Sequence, residues 1–188
     1  MTSSQNVISG QRLGTKDYAL ISVFAALMAV CSWISIPATV PFTMQTFAVF
    51  LTVGLLGGKR GSIAIAIYLL LGAVGLPVFS GFSGGLGYMM GPTGGYIIGF
   101  LFSALAMWAM EKYLGKSFGV LIASMVVGLL VCYSFGTAWF MVVYTRSNEA
   151  IGLATALAWC IIPYIIPDAL KILLAALLTK RLKRFVPN

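Results

Sequence analysis

The chain has 188 residues, of which 60% are hydrophobic and only 9% charged, with a mean hydropathy of +1.00. Soluble globular domains carry about a quarter charged residues, so this composition excludes that class and identifies an integral membrane protein. The net charge of +8 does not point to nucleic acid, because the basic residues sit at the ends of apolar segments, where membrane topology accounts for them.

In chain order, Met1 to Tyr18 is polar and carries Arg12, Lys16 and Asp17. It reads as a cytoplasmic N-terminal segment over about 1–17, followed by a retained span rather than a cleavable signal. A span needs about 20 apolar residues, fewer where protein encloses it. The apolar runs predict six, at roughly 18–35, 43–57, 61–76, 93–111, 117–144 and 166–182. The expected architecture is an all-α membrane protein with a single domain over 1–188 and a six-helix bundle over about 18–184. Ala150 to Ile162 is one more apolar stretch, separated from the last span by Pro163 and Pro167. It is expected to form a short re-entrant or interfacial helix rather than a seventh crossing.

The first span carries small residues at Ser22, Ala25, Ala26, Ala29 and Ser32. Ala25 and Ala29 form a small-xxx-small pair that lets another helix approach closely, either a neighbouring span or a partner. Ten of the twelve basic residues, from Arg12 and Lys16 through Lys59, Arg60, Lys112 and Lys116 to Lys180, Arg181, Lys183 and Arg184, fall on one side of the predicted spans. The positive-inside rule makes that side cytoplasmic and places both termini inside a multi-pass protein of the cell membrane. Between the second and third spans, "GGKRG" (Gly57 to Gly61) lacks the Lys-Ser/Thr of a P-loop and reads as a tight cytoplasmic turn. ATP use would therefore belong to another polypeptide.

Two outward segments are rich in Pro and Gly. Ser35 to Gln45 holds two prolines, and Leu76 to Gly95 holds seven glycines, two prolines and no charge. Non-helical backbone at membrane depth is tolerated where it lines a protein cavity, so both are expected to be structured lids over a pocket that opens outward. The alternative is an ordinary flexible linker, against which the aromatics Phe79, Phe82 and Tyr88 argue.

The last span places Asp168 and Lys171 in an otherwise apolar run. Intramembrane ionisable residues are costly and tend to mark a pathway or ligand site. At a spacing of i, i+3 the two also suit a self-neutralising pair that locks helices together. Pro167 is well placed as the first helical residue, which would put Asp168 in the first turn, where free N–H groups favour anions. Asp accepts hydrogen bonds and Lys donates them. Together they suit a small polar head group with donors and acceptors, its apolar remainder buried by aromatics.

Catalysis is poorly equipped. The chain has no His, and Cys31, Cys132 and Cys160 occur singly, without a metal-binding spacing. "GFSGG" satisfies G-x-S-x-G, but only a Ser83–Lys171 dyad remains to activate the serine. A stand-alone carrier or channel is the other reading, with Asp168 as its sole buried carboxylate.

The blocks "VPFTMQTFAVFLTVGLLGGKRG" (40–61), "YLLLGAVGLPVFSGFSGGLGYMMGPTGGYIIGF" (68–100) and "IPDALKILLA" (166–175) strongly resemble the BioY family, the biotin-specific S components of energy-coupling-factor vitamin importers. The resemblance covers most of the chain from about residue 18. It implies a six-helix subunit, not an enzyme, that binds biotin from outside and has no cofactor. Its implied partners are a transmembrane coupling subunit and two ABC-type ATPases, which alone use ATP. Ala25 and Ala29 are then the implied docking face. Asp168 is expected to accept ureido N–H bonds, with Lys171 orienting it or donating to a ligand oxygen. Thr43, Gln45, Ser80, Ser83 and Tyr88 are candidates for other polar contacts. Phe79, Phe82 and Trp139 are candidates for packing on the ring system, or else for plain core packing.

Overall fold

The computed structural model describes residues 13–147 and 151–186. The first helix, α1 (Thr15–Trp33), starts where the Asp17 carboxylate turns back to accept the Gly14 N–H at 2.9 Å, satisfying a donor that the helix itself leaves open. The other Asp17 oxygen receives Arg60 Nε at 3.1 Å. After α1 the chain makes a two-residue antiparallel ladder, β1 (Ser35–Ile36) with β2 (Phe42–Thr43), pairing Ser35 with Thr43 and Ile36 with Phe42. The expectation of a purely helical chain misses this ladder, because two residues show no periodicity that a sequence pattern can register.

The next helix, α2 (Gln45–Leu56), is buried at every residue except Thr46. A helix apolar all round belongs in a core, and α2 packs against α1, α3, α5 and α8. Its 12 residues span about 18 Å, short of the roughly 30 Å hydrocarbon layer. Surrounding protein, rather than lipid, encloses it.

Only Gly57, at φ 79°, separates α2 from α3 (Gly58–Ala73). That left-handed conformation favours glycine. Lys59 to Gly61 are therefore helical, and the tight turn expected over "GGKRG" shrinks to one residue. Beyond α3, the glycine-rich segment folds as a 3-10 turn (Ser80–Phe82) and one short helix, α4 (Leu86–Met89). Its anchor is Phe79, whose ring lies flat against Gly72. A Cβ on Gly72 would fall 1.9 Å from Phe79 Cζ. The Gly85 N–H donates to the Gly72 carbonyl at 2.6 Å beside it.

A long antiparallel pair follows, α5 (Gly94–Leu114) and α6 (Phe118–Ser147), which makes the most extensive helix contact of the fold. The chain then forms α7 (Leu153–Cys160), a 3-10 turn (Ile162–Tyr164) and α8 (Ile165–Leu182). Of the stretch expected to be a short helix, Leu153 to Cys160 is helical, while its start at Ala150 lies outside the described residues. Among the described residues four helical segments are long and apolar enough to cross a membrane: Thr15–Trp33, Gly94–Leu114, Phe118–Arg146 and Leu153–Leu182.

Outward-facing positions such as Val23, Leu70, Leu105, Val126 and Leu173 are apolar and exposed, as contact with lipid tails requires. One end of the bundle gathers charge. There Glu111 of α5 accepts the Gly58 N–H at 2.5 Å and pairs with Lys116 at 3.2 Å, and Lys180 lies over the Phe118 ring at 5.1 Å.

Candidate binding cavity

At the opposite end, α2, α5, α6, α7 and α8 converge beneath β2 and the two segments rich in Pro and Gly. They enclose about 630 Å³ of space free of protein atoms, part of it open to the outside. Its wall is mixed, with Asp168, Lys171, Gln45 and Thr43 on one side, Ile97, Phe100 and Leu129 as an apolar stretch, and Ser80, Tyr88, Thr93 and Tyr96 on the side of the glycine-rich segment.

Asp168 and Lys171 are 3% and 5% exposed. Helix α8 begins at Ile165, two residues earlier than the proline suggests, and Asp168 still lies in its first turn. Pro167 disturbs nothing there, because the first four N–H groups of a helix have no intrahelical acceptor to lose. The partners that hold Asp168 are side chains. Lys171 Nζ donates to Oδ1 at 2.7 Å, and Tyr133 Oη donates to Oδ2 at 2.6 Å from α6. Lys171 also donates to the Thr43 carbonyl at 2.7 Å and lies 4.1 Å from the centroid of the Phe42 ring.

The two members of the pair are thus in different conditions. An ammonium has three donors, of which Lys171 uses one on a carboxylate and one on a carbonyl, with an aromatic ring beside it. A carboxylate offers about four lone-pair sites, of which these bonds use two. Asp168 keeps acceptor capacity at the cavity, whereas Lys171 has two donors bonded within the protein and its charge over an aromatic ring.

A second set of bonds fixes the rim. Gln45 Nε2 donates to Tyr68 Oη at 2.6 Å, and Tyr68 Oη donates to the Val78 carbonyl at 2.9 Å. Ser32 Oγ reaches that same carbonyl at 2.6 Å, and Trp33 Nε1 reaches the Pro77 carbonyl at 2.8 Å. Tyr164 Oη donates to the Val40 carbonyl, tying the start of α8 to the link between β1 and β2. These side chains satisfy carbonyls that irregular backbone would otherwise leave open, which buried loops require.

Of the residues singled out from sequence, Thr43, Gln45, Ser80, Tyr88, Asp168 and Lys171 line the cavity together. Others lie elsewhere. Phe79 is fully buried behind the wall, stacked on Tyr88 at 5.7 Å and edge-on to Tyr68 at 5.6 Å. Ser83 pairs with Phe79 across the small loop, since the Phe79 N–H donates to its carbonyl at 2.9 Å. Trp139 faces Gly91, donating Nε1 to its carbonyl at 3.0 Å. Phe82 is 64% exposed and stacks on Trp33 at 5.0 Å. These four positions lie outside the lining of the cavity, in the packing around the loop. A Ser83–Lys171 dyad has no basis in this geometry, because the ammonium is already engaged.

Ala25 and Ala29 require a correction. They are 3% and 7% exposed and belong to the core of the chain itself, so the intramolecular reading of the small-xxx-small pair describes them. The outward face of α1 instead carries Ala19, Ser22 and Ala26. Helical phase decides this, since Phe24 and Met28 turn inward and take their neighbours Ala25 and Ala29 with them.

Sequence reasoning overlooked Tyr133, Tyr96 and Tyr164, together with Cys132 and Cys160, of the cavity wall, and Tyr68 behind it. A tyrosine in mid-span was the available signal, since a buried hydroxyl needs a partner. Tyr96 Oη and Thr137 Oγ1 meet at 2.9 Å in the same way.

The comparisons agree with one another. The sequence model of the BioY family matches residues 2–188. A biotin transporter BioY of Thermotoga maritima is 40% identical over 163 residues, covering 86% of this chain and 92% of that protein. A biotin transporter BioY of Rhizobium etli is 33% identical over 180 residues, covering 88% and 92%. The crystal structure of the S-component for biotin from an ECF-type ABC transporter superposes with a TM-score of 0.81 at 26% identity, covering 98% of this chain and 95% of that one. A match along nearly the whole sequence, joined to the same fold, places the chain plainly: it belongs to the BioY family.

Proposed function

We propose that this chain is the substrate-binding S component of an energy-coupling-factor importer and that its cargo is biotin. Binding, not catalysis, is its part in uptake. The observation that carries the reading is Asp168, a buried carboxylate held by Tyr133 and Lys171 that retains acceptor capacity toward a largely apolar cavity.

Biotin matches that chemistry. Its ureido ring presents two N–H donors to a carboxylate acceptor, and its fused thiophane ring is apolar enough for the wall of Ile97, Phe100 and Leu129. Gln45, Thr43, Ser80 and Tyr88 stand around the remaining polar atoms. In the membrane the chain crosses six times, with α2 counted as an enclosed span and α3 as a short one. The charged end that holds Lys59, Lys116 and Lys180 faces the cytoplasm, in keeping with the positive-inside rule. The cavity then opens outward, where the vitamin is captured. A transmembrane coupling subunit and two ATPases supply the energy, and the outward small residues of α1, Ala19, Ser22 and Ala26, permit close approach of a partner helix.

Tryptophan-fluorescence titration of the purified chain tests this. Biotin and desthiobiotin, which share the ureido ring, should both bind, and lipoate, which lacks it, should not. Equal binding of lipoate, or no binding of biotin, would overturn the reading.

A further inference from the structure

Resting on the assignment of biotin as the ligand, we infer that the cavity reads the ureido head of its ligand and does not read the charge of the tail. The argument is one of charge and hydrogen-bond capacity. Two residues that line the cavity are ionic, Asp168 and Lys171, and they neutralise each other at 2.7 Å. Among the described residues, every other side chain lining it is neutral.

The Lys171 cation is already committed to neighbours within the protein. It donates to Asp168 Oδ1 and to the Thr43 carbonyl and lies 4.1 Å from the centroid of the Phe42 ring. Recruiting it would break a buried ion pair and a bond to β2 together. Burying the tail carboxylate without a cation is equally unfavourable, because an unpaired ion in an apolar site is strongly disfavoured. The carboxylate therefore stays at the open side of the cavity, in water. Asp168 meets the opposite condition, with free acceptor sites facing a ligand that brings two donors.

The ligand class is accordingly a cyclic urea whose tail ends in an acid, an amide or an ester. The full-length chain in detergent micelles should be titrated calorimetrically with biotin, biotin amide and biotin methyl ester. The amide and the ester are expected to bind within about threefold of biotin, the spread set by weak solvent-side contacts. Retention of biotin binding with a thirtyfold or greater loss for both neutral derivatives would overturn the inference while leaving the assignment of biotin intact. Failure of biotin itself to bind would overturn both. As a second readout, biotin affinity should change less than threefold between low and high salt, whereas a steep decline with salt would mean that the tail is paired with a cation.

Discussion

Exchanging Asp168 for Asn separates the roles of the buried pair. The substitution keeps the side-chain shape but removes the charge that faces the Lys171 ammonium at 2.7 Å. At an effective dielectric of about 20, two unit charges at that separation attract by about 6 kcal/mol before desolvation is subtracted. Removing one member of a buried pair costs about 3–5 kcal/mol, because the other is left uncompensated. Asp168→Asn should therefore lower thermal stability as well as affinity. A companion variant, Asp168→Asn with Lys171→Met, removes both charges, and such neutral replacements of a buried pair are often harmless to stability. The double variant should recover most of the melting temperature. It should nevertheless bind biotin roughly tenfold to a hundredfold more weakly than the wild type, the worth of a hydrogen bond to a charged acceptor at about 1.5–3 kcal/mol. Thermal unfolding in detergent reads the first effect, and titration calorimetry reads the second. Wild-type affinity in a folded variant lacking the carboxylate would refute the reasoning.

Three further outcomes are expected. Tyr133→Phe removes the donor to Asp168 Oδ2 and should cost about 1–3 kcal/mol of stability, as for any buried charged acceptor deprived of a partner; an unchanged melting temperature would show that water replaces the hydroxyl. Gly72→Val drives a side chain into the ring of Phe79, which should destabilise the chain by about 1–3 kcal/mol and weaken biotin binding through the displaced Tyr88, both measurable in the same titration and melting experiments. Ala25→Leu overpacks the core and should destabilise the isolated chain, whereas Ala26→Leu on the outward face should leave melting and biotin binding intact and reduce co-purification with the coupling subunit; stability unaffected by Ala25→Leu would return that residue to the docking face.

Much of this protein is a consequence of composition and periodicity. A chain with few charges and long apolar runs must build helices in a membrane, since only internally satisfied backbone survives there, and the runs located α1, α5, α6 and α8 to within a few residues. The isolated Asp168 and Lys171 were conspicuous for the same reason, as a charge in an apolar run has to find a partner. The quoted sequence blocks carried the family, and the family carried the ligand class. Three matters depended on long-range contacts that no local pattern encodes. Helical phase decided that Ala25 and Ala29 point into the core. Packing of Phe79 on Gly72 decided that an aromatic of the glycine-rich loop supports the wall of the cavity instead of forming it. Above all, only the folded bundle brings Tyr133 of α6 to Asp168 and Thr43 of β2 to Lys171 of α8. Their bonds leave Asp168 able to accept and Lys171 occupied, an asymmetry between two charged residues that the sequence presents as equals.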